Sequence, residues 1–499
     1  MPMAAAIVVM LSSLPFWLLG HSPSKYDSCC AELKTTSIRG RVAFPGSAQY
    51  DDSVRSYTSV NAQLHPTCIL QPLSTEDISI AIKSLTASNC PIAVRSGGHA
   101  SSIGASNISP GVTIDLSLLN RTTYNPLTTT ASIQTGARWS SVYETLQHHN
   151  VMVPGGRSAS VGVGGYLLGG GISFHASRVG LSCDSIQRYE IVLASGEIIH
   201  VTRRSHPDLF KALKGGSNNF GIVSTFEMST FPEQDIWGGF VVSDLSALPQ
   251  YTSATTRFTN SIPNNPNAAL ASFLIYNSTM GQSFILSSLA YTESVGVGRP
   301  AAFEDFYPFS NIMDTLGRTN MLNLTTANEL PAGYRNAWQT STHLNREDII
   351  QQAANIQSEK IALAKSSTKG KDFSLFIIIQ PWVPQFWKDS AAHGGNVLGL
   401  ERFSGNMLNI AWLWSWDDEA DDTLFYSLAE SARKELDDYS KVIGANNEYI
   451  YINYAGGGQN PLRGYGAENL EFLRRVSKKY DPDGVFQRLV RGGFKLWEA

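Results

Sequence analysis

A segment unusually rich in glycine constrains this chain more than any other part of the sequence. Residues 155 to 180 contain nine glycines, and in VGVGGYLLGGGISF (161–174) they alternate with Val, Tyr, Leu, Ile and Phe. Flexible Gly/Ser linkers lack such apolar residues, whereas a backbone without side chains can approach a flat ligand closely. The pattern therefore predicts a folded segment that faces a ligand.

A second glycine motif follows a short apolar run in PIAVRSGGHASSIGASN (91–107). The apolar residues predict a buried strand that ends at RSGGH. Consecutive backbone N–H groups from Ser96 to Ser101 can form a concave nest for a pyrophosphate. A tight turn at Gly97-Gly98 with His99 at the surface is the alternative, and the residues alone leave both open.

Several common functional classes lack their signatures in this chain. Charged residues make up 16% of it, the net charge is −4, and no basic stripe exists, which argues against nucleic-acid binding. Leu167 stands where a GxGxxG motif needs its third glycine. The sequence also has no phosphate-binding loop, no His-Glu-x-x-His, no Cys-x-x-Cys and no Gly-x-Ser-x-Gly. We therefore expect no Rossmann cofactor site, no serine-hydrolase elbow and no metal site.

The first twenty residues and the cysteines indicate the secretory pathway. MPMAAAIVVMLSSLPFWLLG (1–20) has the length of a signal-peptide core, although it lacks an early Lys or Arg, and an uncleaved anchor is the alternative. No second membrane-spanning segment is expected. Four cysteines could form two disulfides in any of three pairings, with Cys183 left over; reduced thiols in a cytosolic protein are the alternative. The four are Cys29, Cys30, Cys68 and Cys90, and Asn-x-Ser/Thr glycosylation sequences begin at Asn107, Asn120, Asn277 and Asn323.

The periodicity of the remaining chain predicts an α+β protein of two parts. Residues 21–236 form the first part, which includes a helix capped at Ser74 and a hairpin in YEIVLASGEIIHV. From residue 237 to 448, long apolar strands alternate with amphipathic helices, which predicts a large antiparallel sheet covered by helices on one face. Residues 449–499 are expected to return to the first part.

Five motifs in order carry a resemblance to a known family. VRSGGH, VGVGGYLLGGGISF, NNFGIV, YINYA and KKYDPDGVF resemble the berberine-bridge-enzyme-like branch of the vanillyl-alcohol-oxidase flavoproteins, over about residues 29 to 496. The resemblance implies a bipartite FAD-binding domain of the PCMH type and a substrate domain over the isoalloxazine ring.

The same resemblance assigns cofactor contacts. It implies that His99 is joined covalently to the flavin 8α-methyl group. Ser158 stands where many relatives attach the flavin through a second residue, a cysteine, so a single link is expected, and Tyr166 stands where histidine is frequent. The implied FAD contacts are Arg95, Ser96, Gly97, Gly98, His99, Ala100, Ser101, Gly156, Ser160, Val161, Gly162, Gly164, Gly165, Gly169, Gly170, Gly171, Gly221, Ile222, Val223 and Asn453.

The stretch YIYINYA (449–455) supplies the candidate catalytic residues. A strand would place Tyr451 and Tyr454 on opposite faces unless a bulge re-aims them. In similar enzymes the tyrosines at these two positions line the pocket beside flavin N5, and the one that Tyr454 matches can deprotonate a substrate hydroxyl. A phenol has a pKa of about 10, so a base needs surroundings that favour phenolate; a hydrogen-bonding wall is the alternative role. Gly456 replaces an aspartate that often follows.

Aromatic and polar residues of the second part are candidates for the substrate pocket. Gln380, Trp382 and Trp412 could line an aromatic cleft together with Tyr166, although aromatic stripes in strands more often belong to a core.

These observations lead to a hypothesis for the function. We expect a secreted FAD-dependent oxidoreductase that removes a hydride from a small organic molecule, with a base such as Tyr454 taking the proton and dioxygen reoxidising the flavin. A secondary-metabolite alcohol is the favoured substrate, and the motifs most resemble fungal relatives. A carbohydrate oxidase, a non-redox isomerase or cyclase with structural FAD, and a non-catalytic flavoprotein are the alternatives. The oligomeric state is left open.

Overall fold

The first part of the chain is built around a small mixed sheet. The computed structural model describes residues 25–295, 298–309 and 312–499, so the predicted signal peptide lies outside the described residues. The sheet has the order β1-β2-β4-β3, with β2 and β3 both parallel to β4. Its elements are α1 (Lys25–Thr35), β1 (Val42–Ala43), α2 (Ala48–Arg55), β2 (Cys68–Leu70), α3 (Thr75–Ala87), β3 (Ile92–Arg95) and β4 (Val112–Asp115).

The helix cap predicted at Ser74 is present in the structure. The Ser74 hydroxyl oxygen accepts from the Asp77 N–H at 3.2 Å, which confirms the predicted helix cap of α3.

Two disulfides connect helix α1 to the sheet. They join Cys29 to Cys90 and Cys30 to Cys68, and Cys183 is a buried free thiol.

One of the four Asn-x-Ser/Thr positions is buried in the fold. The Asn107 amide donates to the carbonyls of Ala62 and Leu64, so this structure leaves no room for a glycan on its nitrogen. Asn120 and Asn323 are exposed and Asn277 is half-buried.

A five-stranded antiparallel sheet follows, in the order β5-β6-β10-β8-β9. The predicted hairpin is present as β8 and β9, joined through Gly196 with φ +79°. The strands are β5 (Thr122–Asn125), β6 (Thr130–Gln134), β7 (Val151–Met152), β8 (Ile186–Val192), β9 (Ile198–Thr202), β10 (Ile222–Ser229) and β11 (Phe231–Pro232), and the helices are α4 (Trp139–Gln147), α5 (Val163–Leu168), α6 (Ala176–Val179) and α7 (Pro207–Leu213).

The second part is a nine-stranded antiparallel sheet, which confirms the predicted fold class. Its path is β15-β12-β14-β13-β18-β19-β17-β20, with β16 paired to β12. The elements are β12 (Ile236–Asp244), α8 (Leu248–Ser261), β13 (Ala268–Asn277), β14 (Gln282–Tyr291), β15 (Met313–Asp314), β16 (Gly317–Thr319), α9 (Met321–Ala327), β17 (Arg335–Leu344), α10 (Glu347–Thr368), β18 (Phe373–Trp382), β19 (Met407–Trp416), α11 (Asp422–Val442) and β20 (Asn446–Asn447).

The two faces of this sheet have different neighbours. On one face, Trp414 and Trp416 of β19 contact Phe425 of α11, with ring centroids 5.4 and 4.9 Å apart. On the other face, alternate residues such as Ile378 and Leu413 form a separate apolar cluster. This second face is turned toward the first part of the chain and supplies one wall of the functional site.

The C-terminal segment returns to the first part. It contains α12 (Ala467–Tyr480) and α13 (Val485–Arg488). The Tyr480 hydroxyl donates to Asp208 of α7 at 2.8 Å, and the Ile92 N–H at the start of β3 donates to the Leu489 carbonyl at 2.9 Å. Among the described residues, no helix is both long and apolar enough to cross a bilayer.

Candidate functional site

One large cavity lies between the two glycine segments and the apolar face of the long sheet. Its volume is about 730 Å³, within the range of cofactor and ligand pockets. Lining residues come from β3, β10, β13, β17, β18, the segment around Tyr454 and the C-terminal segment. The site is therefore assembled from parts of the chain that are far apart in sequence.

The two glycine segments touch backbone to backbone. A Cβ at Gly97 would lie 2.5 Å from the Cα of Gly162, and a Cβ at Gly162 would lie 2.3 Å from the backbone nitrogen of Gly97. Real Cβ atoms do not come so close, so neither position accepts a side chain unless the segments separate. Both glycines line the cavity, where they leave the main chain open to a ligand.

The first glycine segment also presents unused hydrogen-bond donors. Gly98 has φ +68°, and within the described chain no backbone N–H from Gly97 to Ser102 donates to a protein acceptor. All six residues line the cavity. Consecutive N–H groups beside a left-handed residue form the kind of nest that binds phosphate oxygens.

The opposite segment leaves a flat open space. A Cβ at Gly165 would meet nothing within 4 Å, although Gly165 lines the cavity. Gly221, Ile222, Val223 and Phe486 also line the cavity. A cavity that combines free N–H donors, apolar residues and a surface poor in side chains fits the diphosphate, adenine and ring system of FAD.

His99 lies in the cavity next to this nest. The pKa of His99 is lowered to about 4, mainly by burial; Glu329 opposes this shift and Arg138 adds to it. The imidazole is therefore uncharged at neutral pH and keeps a nucleophilic lone pair.

Arg95, an expected FAD contact, does not line the cavity. Its guanidinium is buried and lies 3.6 Å from the Asp115 carboxylate. It donates to the Ser53 carbonyl and the Ser56 hydroxyl, each at 2.6 Å. Because the guanidinium also lies 2.8 Å from the position of a Cβ on Gly98, Arg95 supports the first glycine segment from behind.

Four other expected FAD contacts are packed away from the cavity. A Cβ on Gly169, Gly170 or Gly171 would meet Asn453, Leu398 or the Tyr166 ring, so these glycines permit close packing within the protein. Ser160 hydrogen-bonds to Glu329 instead. The remaining expected contacts line the cavity: Ser96, Gly97, Gly98, His99, Ala100, Ser101, Gly156, Val161, Gly162, Gly164, Gly165, Gly221, Ile222, Val223 and Asn453.

At the sheet end of the cavity, three polar side chains form a closed triangle. The Tyr454 hydroxyl oxygen accepts from Arg157 Nη2 at 3.2 Å and from Gln380 Nε2 at 3.0 Å. Arg157 Nη2 also donates to Gln380 Oε1 at 2.5 Å. The Tyr454 ring stacks on Trp338 with centroids 5.3 Å apart. These contacts fix the direction in which the tyrosine oxygen points.

The segment that carries Tyr454 is not a strand, contrary to the sequence prediction. Residues Ile452–Tyr454 form a 3-10 turn, which brings Tyr451 and Tyr454 to the same cavity with their rings 5.0 Å apart. Burial raises the pKa of Tyr451 far above its usual value, so its hydroxyl stays protonated, and it accepts from Asn453 Nδ2 at 3.0 Å.

Two of the four predicted pocket residues lie elsewhere. Trp412 is fully buried on the helix-facing side of β19, and Trp382 is buried against Tyr449 and Tyr451, so neither lines the cavity. Gln380 and Tyr166 do line it. The Tyr166 hydroxyl is held by the Gly155 carbonyl at 2.9 Å and Ser182 at 2.8 Å.

Sequence reasoning missed Glu329, which reaches the second glycine segment from the opposite part of the molecule. Its carboxylate accepts from the Ser158 hydroxyl at 3.0 Å and from the Ser160 N–H and hydroxyl, both at 2.5 Å. Ser158 thus joins the second glycine segment to a residue of the second part of the chain. No local signal marks Glu329, because its partners lie about 170 residues away.

Arg157, Trp338 and the C-terminal residues were also missed. Arg157 is the single charged residue of GGRSAS, a signal that was available beside the glycine run. Trp338, Phe486 and Lys495 line the cavity, and burial lowers the pKa of Lys495 to about 7.

Comparisons with known proteins agree with this geometry. Residues 66–202 match a family described as an FAD binding domain. The chain is 59% identical over 476 residues to the FAD-dependent monooxygenase sdcF of Emericella nidulans. The aligned region covers 95% of this chain and 99% of the relative. It is 39% identical to the FAD-dependent monooxygenase drtC of Aspergillus calidoustus, with 94% and 90% covered.

A solved structure shares the fold. The berberine bridge enzyme from Eschscholzia californica superposes with a TM-score of 0.74 at 17% identity, and the match covers 92% of this chain and 97% of that one.

The two glycine segments give a matched pair of substitutions. We expect Gly97→Ala to destabilise the protein by about 1–3 kcal/mol, because the methyl group forces the segments apart. Gly165→Ala, which fills open space, should keep the melting temperature of the protein but lower its flavin content. Thermal melting and the flavin-to-protein absorbance ratio of both variants measure this; a Gly165→Ala protein with full flavin content would contradict the assignment of the cavity.

Proposed function

The chain belongs to the berberine-bridge-enzyme-like family of FAD-linked oxidoreductases, and from this premise we propose that it oxidises a small organic molecule by hydride transfer to flavin N5. The substrate would be a secondary-metabolite alcohol or a compound with a related C–H bond. Its relatives in fungi include proteins named FAD-dependent monooxygenases, so FAD-dependent redox chemistry is common to the group.

The hydrogen bonds of Tyr454 carry this proposal. A hydroxyl oxygen that accepts two hydrogen bonds is held in one place, and a hydroxyl fixed in this way inside a cavity is positioned to exchange a proton with a bound substrate. Arg157 and Gln380 both donate to this oxygen, and it lies in the same cavity as the glycine segments. We therefore assign Tyr454 as the base that takes the hydroxyl proton of the substrate, and Tyr451 as a positioning residue.

The remaining residues of the site hold the cofactor. When bound, FAD supplies the hydride acceptor and passes two electrons to dioxygen, which with two protons gives hydrogen peroxide. The N–H groups from Gly97 to Ser102 would bind the diphosphate, Ile222, Val223 and Phe486 the adenine end, and Gly162 to Gly165 the ring system. His99 would form one covalent link, because Ser158 has no thiol for a second.

A monooxygenase reaction is the second candidate. The name of the relative at 59% identity favours it. Such a reaction would place one oxygen atom of dioxygen in the product and would require an external two-electron reductant, for which the sequence has no GxGxxG nucleotide site.

We also propose that the protein passes through the secretory pathway. The two disulfides support this location, because such bonds persist in oxidising compartments.

The covalent link can be tested by acid precipitation. We expect flavin to stay with the pellet of the unchanged protein and to pass into the supernatant for His99→Ala, because the imidazole is the only proposed attachment. His148→Ala, which changes an exposed histidine outside the cavity, is the control and should keep its flavin. A yellow His99→Ala pellet, or a flavin adduct on the peptide that contains Ser158, would refute the single link.

The base can be tested by stopped-flow reduction under anaerobic conditions. We expect Tyr454→Phe to slow flavin reduction about 10²- to 10⁴-fold, the usual size of a general-base contribution, with little change in substrate binding. Tyr449→Phe is the matched control, because this buried hydroxyl has no partner among the described residues and lies outside the cavity. An unchanged reduction rate in Tyr454→Phe would remove Tyr454 from the reaction.

The two redox reactions differ in the fate of oxygen. With ¹⁸O-labelled dioxygen, we expect one hydrogen peroxide for each product molecule and no label in the product. Label in the product, together with a requirement for added reductant, would establish monooxygenation instead.

A further inference from the structure

The wall of the cavity opposite the glycine segments is almost entirely apolar. Phe273 of β13, Ile378 of β18 and Trp338 of β17 line the cavity from one face of the long sheet, in which β19 lies between β18 and β17, and Leu330 packs beside them. Phe273, Leu330 and Trp338 are only partly buried, so their apolar surface is open to the cavity. A flat apolar molecule gains free energy by covering such a surface.

Arg157 is a cation beside this wall that has unused hydrogen-bond donors. Arg157 uses Nη2 for Gln380 and Tyr454, while its Nε and Nη1 donate to no group in the described part of the chain. It forms no ion pair there with an aspartate or glutamate. Glu329, the residue directly before Leu330, already accepts hydrogen bonds from Ser158 and Ser160. A half-buried guanidinium without a carboxylate partner favours an anionic ligand.

A second free donor in the cavity also favours a ligand that carries a hydrogen-bond acceptor. Asn328 lines the cavity, and its buried Nδ2 has no acceptor among the described residues. By contrast, the amide of Gln380 is already engaged by Arg157 and Tyr454. On the side of the cavity away from the glycine segments, Arg157 and Asn328 thus offer free donors, while the wall itself offers only the indole N–H of Trp338.

This distribution is poorly suited to a sugar. An oligosaccharide carries hydroxyl groups on every edge, and each one that loses water without gaining a partner weakens binding. The side chains of Phe273, Leu330 and Ile378 offer no such partner, and Trp338 offers only its indole N–H. The site is suited to a ligand that is apolar over most of its surface and polar at one point.

We infer that the substrate is a flat, largely apolar molecule that carries one oxyanion, a carboxylate, enolate or phenolate, which binds to Arg157 while its ring system covers Trp338 and Phe273. This inference rests on the proposed function, because it takes the cavity beside Tyr454 as the substrate site. It adds the substrate class, with Arg157 as the residue that selects the charge and Trp338 as the residue that selects the flat apolar surface.

Equilibrium binding tests this class without turnover. The probes are 2-naphthoate, its neutral analogue 2-naphthylmethanol, and cellobiose, each titrated into the oxidised, flavin-loaded protein without oxygen while the flavin spectrum is followed. We expect binding in the order naphthoate, naphthylmethanol, cellobiose. Arg157→Gln should weaken naphthoate binding about 10- to 100-fold, as for loss of a charge-assisted hydrogen bond, and leave naphthylmethanol within about threefold.

Matched variants separate charge from shape. Arg157→Lys should restore part of the preference for the anion, Trp338→Ala should weaken both naphthalene probes, and Lys388→Gln, which removes an exposed cation, should change neither. The ratio of the naphthoate to the naphthylmethanol dissociation constant in the unchanged protein tests the inference even if a variant fails to load flavin.

The outcomes distinguish this inference from the proposed function. Equal binding of the anion and its neutral analogue in the unchanged protein, an unchanged ratio in Arg157→Gln, or tightest binding of cellobiose would overturn the substrate class while the reduction assay on Tyr454→Phe still stands. Conversely, anion binding that depends on Arg157 without an effect of Tyr454→Phe on flavin reduction would overturn the proposed base and keep the substrate class.

Discussion

The close approach of two main chains is the constraint on which the site depends. Gly97 and Gly162 touch through their backbones, and neither side has room for a Cβ. This contact lets the two segments form one continuous surface of peptide groups on the cavity side. A surface of this kind offers N–H donors and flat space together, which side chains would otherwise fill.

Polar contacts hold this surface from behind and from across the molecule. Behind it, Arg95 and Asp115 form an ion pair in which each side chain is 1% exposed, and such a pair is costly to break because the remaining charge would be left without a partner. Across it, Glu329, in the loop between α9 and β17, binds the second glycine segment through Ser158 and Ser160.

Much of this architecture could be predicted from the sequence, and the rest fails for identifiable reasons. The glycine segments and the antiparallel sheet have local signals, namely glycine density and strand periodicity. No local signal shows on which face of the sheet Trp412 lies, because every residue of β19 is buried and the alternation of apolar and polar residues cannot distinguish the two faces. The 3-10 turn at Tyr454 and the contact of Arg157 with a residue 297 positions away depend on tertiary packing, which no local pattern encodes.

The return of the C-terminal segment has a consequence for biosynthesis. Phe486 and Lys495 line the cavity together with Val94 and Ile222, and Gly492 lies against the Gly104 carbonyl, where a Cβ would not fit. The ribosome therefore has to extend the chain beyond Lys495 before the walls of the cavity are complete. A ligand of this cavity therefore meets a complete site only after nearly the whole polypeptide has been made, and a chain that ended before Phe486 would keep most of its core but lack one wall of the cavity.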